Sequence, residues 1–332
     1  MKRVNNLIPE IADPDNLRLA FWKARKEKEG KEEVFEFRKN LDKNLLILRN
    51  ELLTGKVEIG NYHYFTIYDP KERIICAAPF KQRVLHHAIM NVLHENFEKY
   101  QIYDSYASRI GKGTYAALER AAFCQRKFHW FVKLDVRKYF DSIDHNVLLK
   151  MLNKRFKDKK LLDVLQSIIE SYHTENSKGL PIGNLTSQYF ANHYLALADH
   201  FIKEQLHAIA YVRYMDDMVF WSNDKNMLIN ITKEFENFIN KELLLTLKPM
   251  CLNTVDKGLP FLGYVLYPDK ILLTNNSRKR FKAKLKSYNF RYNNGEWNQT
   301  TLQLHLLPLI AFVKYANTFM LRTKYNEMLK IG

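Results

Sequence analysis

An α+β fold, with a small antiparallel sheet and helices packed beside it, is what this chain predicts. Three observations carry that expectation. Apolar residues recur at three- and four-residue spacing over long stretches. Short β-branched and aromatic runs interrupt them. One pair of such runs, "AYVRY" and "MVFWS", flanks a tight turn that holds the adjacent aspartates Asp216 and Asp217. With 332 residues, 46% of them hydrophobic, the chain has apolar material for two or three subdomains.

Taken in order, "NLRLAFWKARKEKEG" and "EEVFEFRKNLDKNLLILRNELLTG" predict helices that end at Gly30 and Gly55. "VEIGNYHYFTIYD" alternates apolar and polar residues and predicts a strand before a turn at Asp69-Pro70. "FKQRVLHHAIMNVLHENFEKY" returns to helical period. "FVKLDVRKYF" predicts a strand with Phe131, Lys133 and Asp135 on one face and Val132, Leu134 and Val136 on the other. "HNVLLKMLNKRF" and "DKKLLDVLQSIIESY" read as helices. After a turn over 179–184, "TSQYFANHYLALADHFIKEQL" predicts a long helix with Phe190, Tyr194, Leu197 and Phe201 on one face. "AYVRY" and "MVFWS" form a hairpin, "MLINITKEFENFINKEL" a helix, and "LPFLGYVLYPDKILL" a second hairpin. The rest is helical and basic, and the helices are expected on one side of the sheet.

The balance of 52 Lys+Arg against 36 Asp+Glu, a net +16, favours a polyanionic partner, most often nucleic acid, through counterion release. Part of that excess is concentrated in "RKRFKAKLKSYNFR", where Phe281, Tyr288 and Phe290 interleave with the cations. Cys76, Cys124 and Cys251 stand far apart, which excludes a disulfide framework or a structural zinc site and fits a reducing cytosol. The first residues carry no apolar signal-peptide core, and no run of 18 apolar residues occurs, so a cytoplasmic protein without a membrane partner is expected. His86, His87 and His145 lack metal spacing and read as packing or capping residues. No phosphate-binding Gly-rich loop, nucleophile elbow or zinc signature is present.

Adjacent carboxylates repel, and strand-like surroundings disfavour aspartate, so Asp216-Asp217 needs a reason. If the strand "FVKLD" lies beside the hairpin, Asp135 joins the pair. Three converging carboxylates are costly alone and favourable around one or two Mg²⁺ ions. Two such ions would activate an attacking hydroxyl and stabilise a leaving pyrophosphate, which is most of what phosphoryl transfer requires.

"YMDD" at 214–217 resembles motif C of reverse transcriptases, and "FVKLDVRKYFDSIDH" resembles their motif A. Further blocks follow in the family's order. "KERIICAAPFKQRVLHHAI" and "SYASRIGKGTYAAL" are similar to the two fingers blocks of the group II intron and retron branch. "GLPIGNLTSQYFANHYLALADHFI" resembles motif B, and "KGLPFLGYVLYPDK" the primer-grip region. Together they cover roughly residues 60–270.

The resemblance implies a right-hand polymerase: an N-terminal extension and fingers over 1–130, a palm over 131–268 with 146–182 inserted as part of the fingers, and a helical basic thumb over 269–332. It implies an RNA-directed DNA polymerase with Asp135, Asp216 and Asp217 as catalytic metal ligands for two Mg²⁺ ions, Mn²⁺ being able to substitute. By the same resemblance Lys71 and Arg73 bind the incoming deoxynucleotide triphosphate, and Phe140 is the aromatic gate against a 2′-hydroxyl. Ile182, Gly183 and Gln188 line the nucleotide site, and Lys248 is a candidate general acid. Leu262 and Gly263 seat the primer, and Arg278, Lys279, Arg280 and Lys282 track the template–primer duplex. Arg83 is expected in a structural or template-contacting role.

Motif B discriminates among branches. Group II intron enzymes usually carry Pro-Gln-Gly, with Ser-Pro four positions on; here Pro181-Ile182-Gly183-Asn184 is followed by Ser187-Gln188. Ile182 and Gln188 make the chain most similar to reverse transcriptases of diversity-generating retroelements, prokaryotic or phage-encoded. These copy a template-repeat RNA into cDNA that is mutagenised at adenines. An RNA template, the cDNA or primer, dNTPs and a small basic oligomeric accessory variability protein are the partners that this implies. The stretch after Tyr264 suffices for a thumb and not for an added maturase, DNA-binding and endonuclease region. No Val-Thr-Gly triplet of retron thumbs is found, and Met215 replaces the commoner retron alanine. A retron-type or group II intron-derived enzyme is the nearest alternative, and an inactive RNA-binding scaffold is disfavoured by the intact aspartates.

Overall fold

A computed structural model of the protein describes residues 3–60, 62–68 and 72–326. Four helices open the chain: α1 (Ile8–Ile11), α2 (Pro14–Arg25), α3 (Glu32–Lys39) and α4 (Leu41–Thr54). Asp13 caps α2 by accepting from the backbone N–H groups of Asp15 and Asn16, and Pro14 occupies the first helical position. α2 stops at Arg25, short of Gly30, and the second expected helix breaks at Asn40 into α3 and α4. Gly55 ends α4 in the left-handed conformation, φ 74°.

The expected strand is shorter than its sequence pattern. β1 (His63–Ile67) pairs antiparallel with β2 (Arg73–Ala77) as a separate two-stranded ribbon. The turn expected at Asp69-Pro70, and with it Lys71, lies outside the described residues. There follow α5 (Phe80–Glu98), α6 (Thr114–Lys127), β3 (Trp130–Asp135), α7 (Tyr139–Ser142), α8 (His145–Arg155), α9 (Lys159–Glu170) and α10 (Leu185–His200). A π-helical turn over Phe201–Gln205 extends α10. β4 (Ala210–Tyr214), β5 (Asp217–Ser222), α11 (Lys225–Glu242) and β6 (Cys251–Thr254) come next.

β3 to β6 build the central antiparallel sheet in the order β4-β5-β3-β6. β6 has no counterpart in the sequence expectations, because four residues with two polar side chains carry too little alternation. The alternation along β3 sorts its side chains between two cores. Val132 and Leu134 enter a large cluster with Tyr211, Met218 and Phe220 and with α5, α10 and α11. Phe131 enters a second cluster with Val212, Val219 and Trp221, joined there by α6 and the C-terminal elements. Both faces of the sheet are therefore covered, where the sequence suggested helices on one side only.

The second expected hairpin is a three-stranded meander of β7 (Leu259–Phe261), β8 (Tyr264–Leu266) and β9 (Ile271–Leu273). α12 (Asn275–Asn293), α13 (Gln299–Lys314) and α14 (Phe319–Asn326) complete the described chain. α12 buries Phe281 and Leu285 against Leu302 and Leu306 of α13 in the second core.

Candidate active site

A two-residue turn, Met215-Asp216, joins β4 to β5 and is closed by the Tyr214–Asp217 pair. Met215 has φ 55°, the left-handed region that two-residue hairpins demand and that a non-glycine residue rarely adopts. β3 runs beside β5 in a register that sets Asp135 opposite Asp217. Directly opposite residues in an antiparallel pair share a face, so these carboxylates emerge together at the end of the sheet, with Asp216 in the adjoining turn.

Two ammonium groups attend the carboxylates. Lys248 Nζ stands 2.7 Å from Asp135 Oδ1, and Lys133 Nζ stands 2.9 Å from Asp217 Oδ1. Backbone pairing places Lys248: beyond β3, Val136 bridges Leu247, and the Lys248 N–H donates to the Asp135 carbonyl at 2.8 Å. Burial, with the charges of Asp135 and Asp217 added to it, pushes the Asp216 carboxyl up to about 6. Asp135 Oδ1 is itself buried and receives no well-angled hydrogen bond, its lysine contact being an ion pair by distance only.

Among the described residues no three His, Cys, Asp or Glu side chains are gathered tightly enough to hold a metal ion as they stand. Two of the three carboxylates face ammonium groups instead, Asp135 that of Lys248 and Asp217 that of Lys133. The donor chemistry nonetheless fits a hard divalent cation. A buried carboxylate oxygen without a donor, beside an aspartate whose ionisation two neighbours oppose, is relieved by added positive charge and oxygen coordination.

The remaining sequence-predicted residues are spread over several elements. Arg73 is exposed at the start of β2, and Lys71 lies outside the described residues. Phe140 sits in α7, half-buried against the large core, and its carbonyl accepts from the Leu180 N–H at 2.8 Å. Ile182 and Gly183 lie against β2: the Cys76 N–H donates to the Ile182 carbonyl at 2.8 Å. Gly183 has φ 120°, and a Cβ there would stand 2.9 Å from Ile75 Cγ2 and 3.2 Å from the Cys76 carbonyl oxygen. Its close approach is therefore to the β1–β2 ribbon. Gln188 is exposed on α10, where Ser108 Oγ donates to its Oε1 at 3.2 Å.

Leu262 and Gly263, at φ 49° and 89°, form the turn between β7 and β8. They line a cleft of about 670 Å³ with Asp217, Lys133, Lys279 and Arg280. Arg278 projects instead to a different hollow beside Tyr267 and Phe319, so the four α12 cations do not share one surface. Arg83 donates from Nε to the Ala78 carbonyl at 2.8 Å and pairs with Glu33 at 3.7 Å, a structural placement.

Two residues at the site escaped the sequence reading. Lys133 carried a usable signal, since period two sets it on the face of Asp135. Arg213 carried another, an arginine inside a strand of apolar residues just before the aspartates; it is fully buried.

A family model described as reverse transcriptase (RNA-dependent DNA polymerase) matches residues 68–266. Among curated proteins, the group II intron-encoded protein LtrA of Lactococcus lactis is 27% identical over 141 residues, 40% of this chain and 23% of that protein. The COX1/OXI3 intron 1 protein of Saccharomyces cerevisiae is 24% identical over 215 residues, 61% of this chain and 26% of that protein. The chain thus spans about a quarter of the length of these relatives. Among solved structures, apo telomerase from Candida tropicalis superposes with a TM-score of 0.52 at 12% identity, covering 81% of this chain and 59% of that one, a likeness of fold.

Proposed function

This chain belongs to the reverse transcriptase (RNA-dependent DNA polymerase) family, and from that premise we propose that it copies an RNA template into DNA at the Asp135, Asp216 and Asp217 carboxylates. The fold is that of a right-hand polymerase. We assign fingers to 1–130, palm to 131–268 with 146–182 inserted, and thumb to 269–332. The observation that carries the reading is the register that sets Asp135 opposite Asp217 with Asp216 in the adjoining turn.

Asp135, Asp216 and Asp217 would hold two Mg²⁺ ions, or Mn²⁺ in their place. Bound there, the ions supply neutralisation of phosphate charge and a more acidic primer hydroxyl. The chain's own residues do the rest. Arg73, with Lys71, grips the triphosphate of a dNTP in fork geometry. The Phe140 ring fills the space of a 2′-hydroxyl. Ile182, Gly183 and Gln188 border the nascent pair. The turn at Leu262 and Gly263 seats the primer end, and Arg278, Lys279, Arg280 and Lys282 hold the duplex by its phosphates. Lys248 passes a proton from Nζ to the leaving pyrophosphate, once it has left Asp135 Oδ1. Primer extension on an RNA template tests the assignment; an Asp216→Asn protein that extends as fast as the wild type would sink it.

Within the family, Ile182 in place of Gln and Gln188 after Ser187 support a diversity-generating retroelement enzyme of prokaryotic or phage origin. It would work in a cytoplasm with a small basic accessory protein and make adenine-mutagenised cDNA. Isoleucine can only pack against the nascent pair, where glutamine would add a hydrogen bond that fixes base position. The likeness to LtrA favours a second reading, a group II intron-derived or retron-type enzyme. Sequencing cDNA made from a defined RNA separates them: errors spread evenly over all four template bases would remove the retroelement reading. Unchanged adenine errors in Ile182→Gln would remove Ile182 as their cause.

A further inference from the structure

Arg213 in β4 and Asp199 in α10 are both fully buried, and their side chains form a closed polar hub. Arg213 Nε donates to both Asp199 oxygens at 2.8 and 3.0 Å, and Nη2 donates to Oδ2 at 2.6 Å. Tyr211 donates its hydroxyl to Asp199 Oδ1 at 2.9 Å. The remaining branch, Nη1, donates to the Met215 carbonyl at 3.1 Å and to Asn192 Oδ1 at 3.0 Å.

A buried ion pair contributes little net stability compared with apolar residues of the same volume, because desolvating both charges offsets their attraction. What a guanidinium adds is direction: donors in a rigid planar fork. Here Nε and Nη2 are locked on Asp199, and Nη1 ends on the carbonyl of Met215, the left-handed residue that turns the chain into Asp216. The hub also reaches outward. Asn192 Nδ2 donates to the Ala107 carbonyl at 2.7 Å, and the backbone of Arg213 exchanges hydrogen bonds with Asp104 and Tyr106 at 2.9 Å each. The free edge of β4 is thereby clamped to the segment that leads into α6.

We propose that Arg213 is a positioning residue: locked by Asp199, its guanidinium holds the Met215 carbonyl and so sets the Asp216–Asp217 turn against Asp135. Its side chain is fully buried, so it acts through the turn and not by touching template or nucleotide. The inference rests on the reading of the three aspartates as the polymerising centre.

Two variants test it. Arg213→Lys keeps a charge beside Asp199 and loses the prong that reaches Met215. The double variant Arg213→Met with Asp199→Leu replaces the pair by apolar side chains. Each is measured for fold by circular dichroism and thermal midpoint, for Mn²⁺ binding without nucleic acid, and for kcat and KM of nucleotide addition. The expected result is a folded protein whose Mn²⁺ affinity and kcat both fall roughly 10- to 100-fold while KM for the nucleotide stays within about threefold, as when an outer partner of a ligand is lost. A folded variant with wild-type kcat and Mn²⁺ affinity overturns the proposal. So does one in which KM alone moves, and so does the failure of both variants to fold, which would make Arg213 a folding residue. Wild-type protein and Asp216→Asn are run alongside; a wild type that extends no primer refutes the polymerase reading instead, and the Mn²⁺ titration still decides the role of Arg213.

Discussion

Lys133 and Asp217 form an ion pair on neighbouring strands, Nζ to Oδ1 at 2.9 Å, and the same ammonium donates to the Pro260 carbonyl at 3.2 Å. One lysine thus ties a carboxylate of the central sheet to the first strand of the meander. It also occupies an oxygen that a divalent cation would use. Lys133→Met is expected to tighten Mn²⁺ binding to the nucleic-acid-free protein by a few-fold, since a partly exposed pair is worth about 1 kcal/mol at most. Isothermal titration measures this; weaker binding would mean that Lys133 orients Asp217 instead of competing for it.

The Asp216 carboxyl sits at about 6 against an ordinary 3.8. An acid whose value is raised on folding stabilises the native state below its unfolded value and loses that contribution as pH rises through the folded one. In EDTA, wild-type stability should therefore fall between about pH 4 and pH 6, with at most ~3 kcal/mol attributable to this group. Asp216→Asn should lack that fall and melt higher than the wild type at pH 7. Parallel pH profiles for the two proteins would contradict the assignment.

A Cβ on Gly183 would crowd the Ile75 side chain and the Cys76 carbonyl. The glycine's φ of 120° and the 2.9 Å and 3.2 Å approaches to Ile75 and Cys76 make Gly183→Ala a strained change. A loss of about 1–3 kcal/mol of stability is expected, together with a raised KM for the nucleotide as the β1–β2 ribbon shifts away from the turn over 179–184. Thermal melts and steady-state kinetics check both; an unchanged midpoint would show that the ribbon yields freely.

The α12 cations should separate in function. Lys279 lines the cleft that contains Asp217, whereas Arg278 faces another hollow. Lys279→Ala should weaken template–primer binding and reduce the salt slope of log affinity by about 1, as expected for one lost phosphate contact. Arg278→Ala should change that slope less. Fluorescence anisotropy across a salt series decides, and equal slopes for both variants would count against the division.

Much of this fold was legible in the sequence, for identifiable reasons. The alternation around Asp135 correctly divided β3 between two cores, and the Tyr-Met-Asp-Asp turn lay where its flanking runs put it. Short elements were not legible: β6 and β9 are too brief to establish a period, and the break at Asn40 is hidden inside continuous helical spacing. At the site, residue types marked the three aspartates and the resemblance marked Lys248, while the ion pairs of Lys248 with Asp135 and of Lys133 with Asp217 were hidden. Pairing across strands determines those contacts, and an isolated lysine in a strand reads as a solvated side chain. The division of α12 between two hollows was hidden for the same reason, because helical spacing gives a face and not what that face meets.

The larger core gathers residues from Leu7 through Leu247 into one cluster. The four opening helices pack on one another, on α5 and, through α4, on α9, so during synthesis part of their apolar surface stays unpaired until α9 has left the ribosome. From the end of α4 to the end of α9, at ~5–20 residues per second, that interval is about 6–23 s. The half-made chain is accordingly the most vulnerable form of the molecule. Its yield in a cell should depend on translation speed and on chaperones that shield exposed helices, more than on the stability of the finished protein.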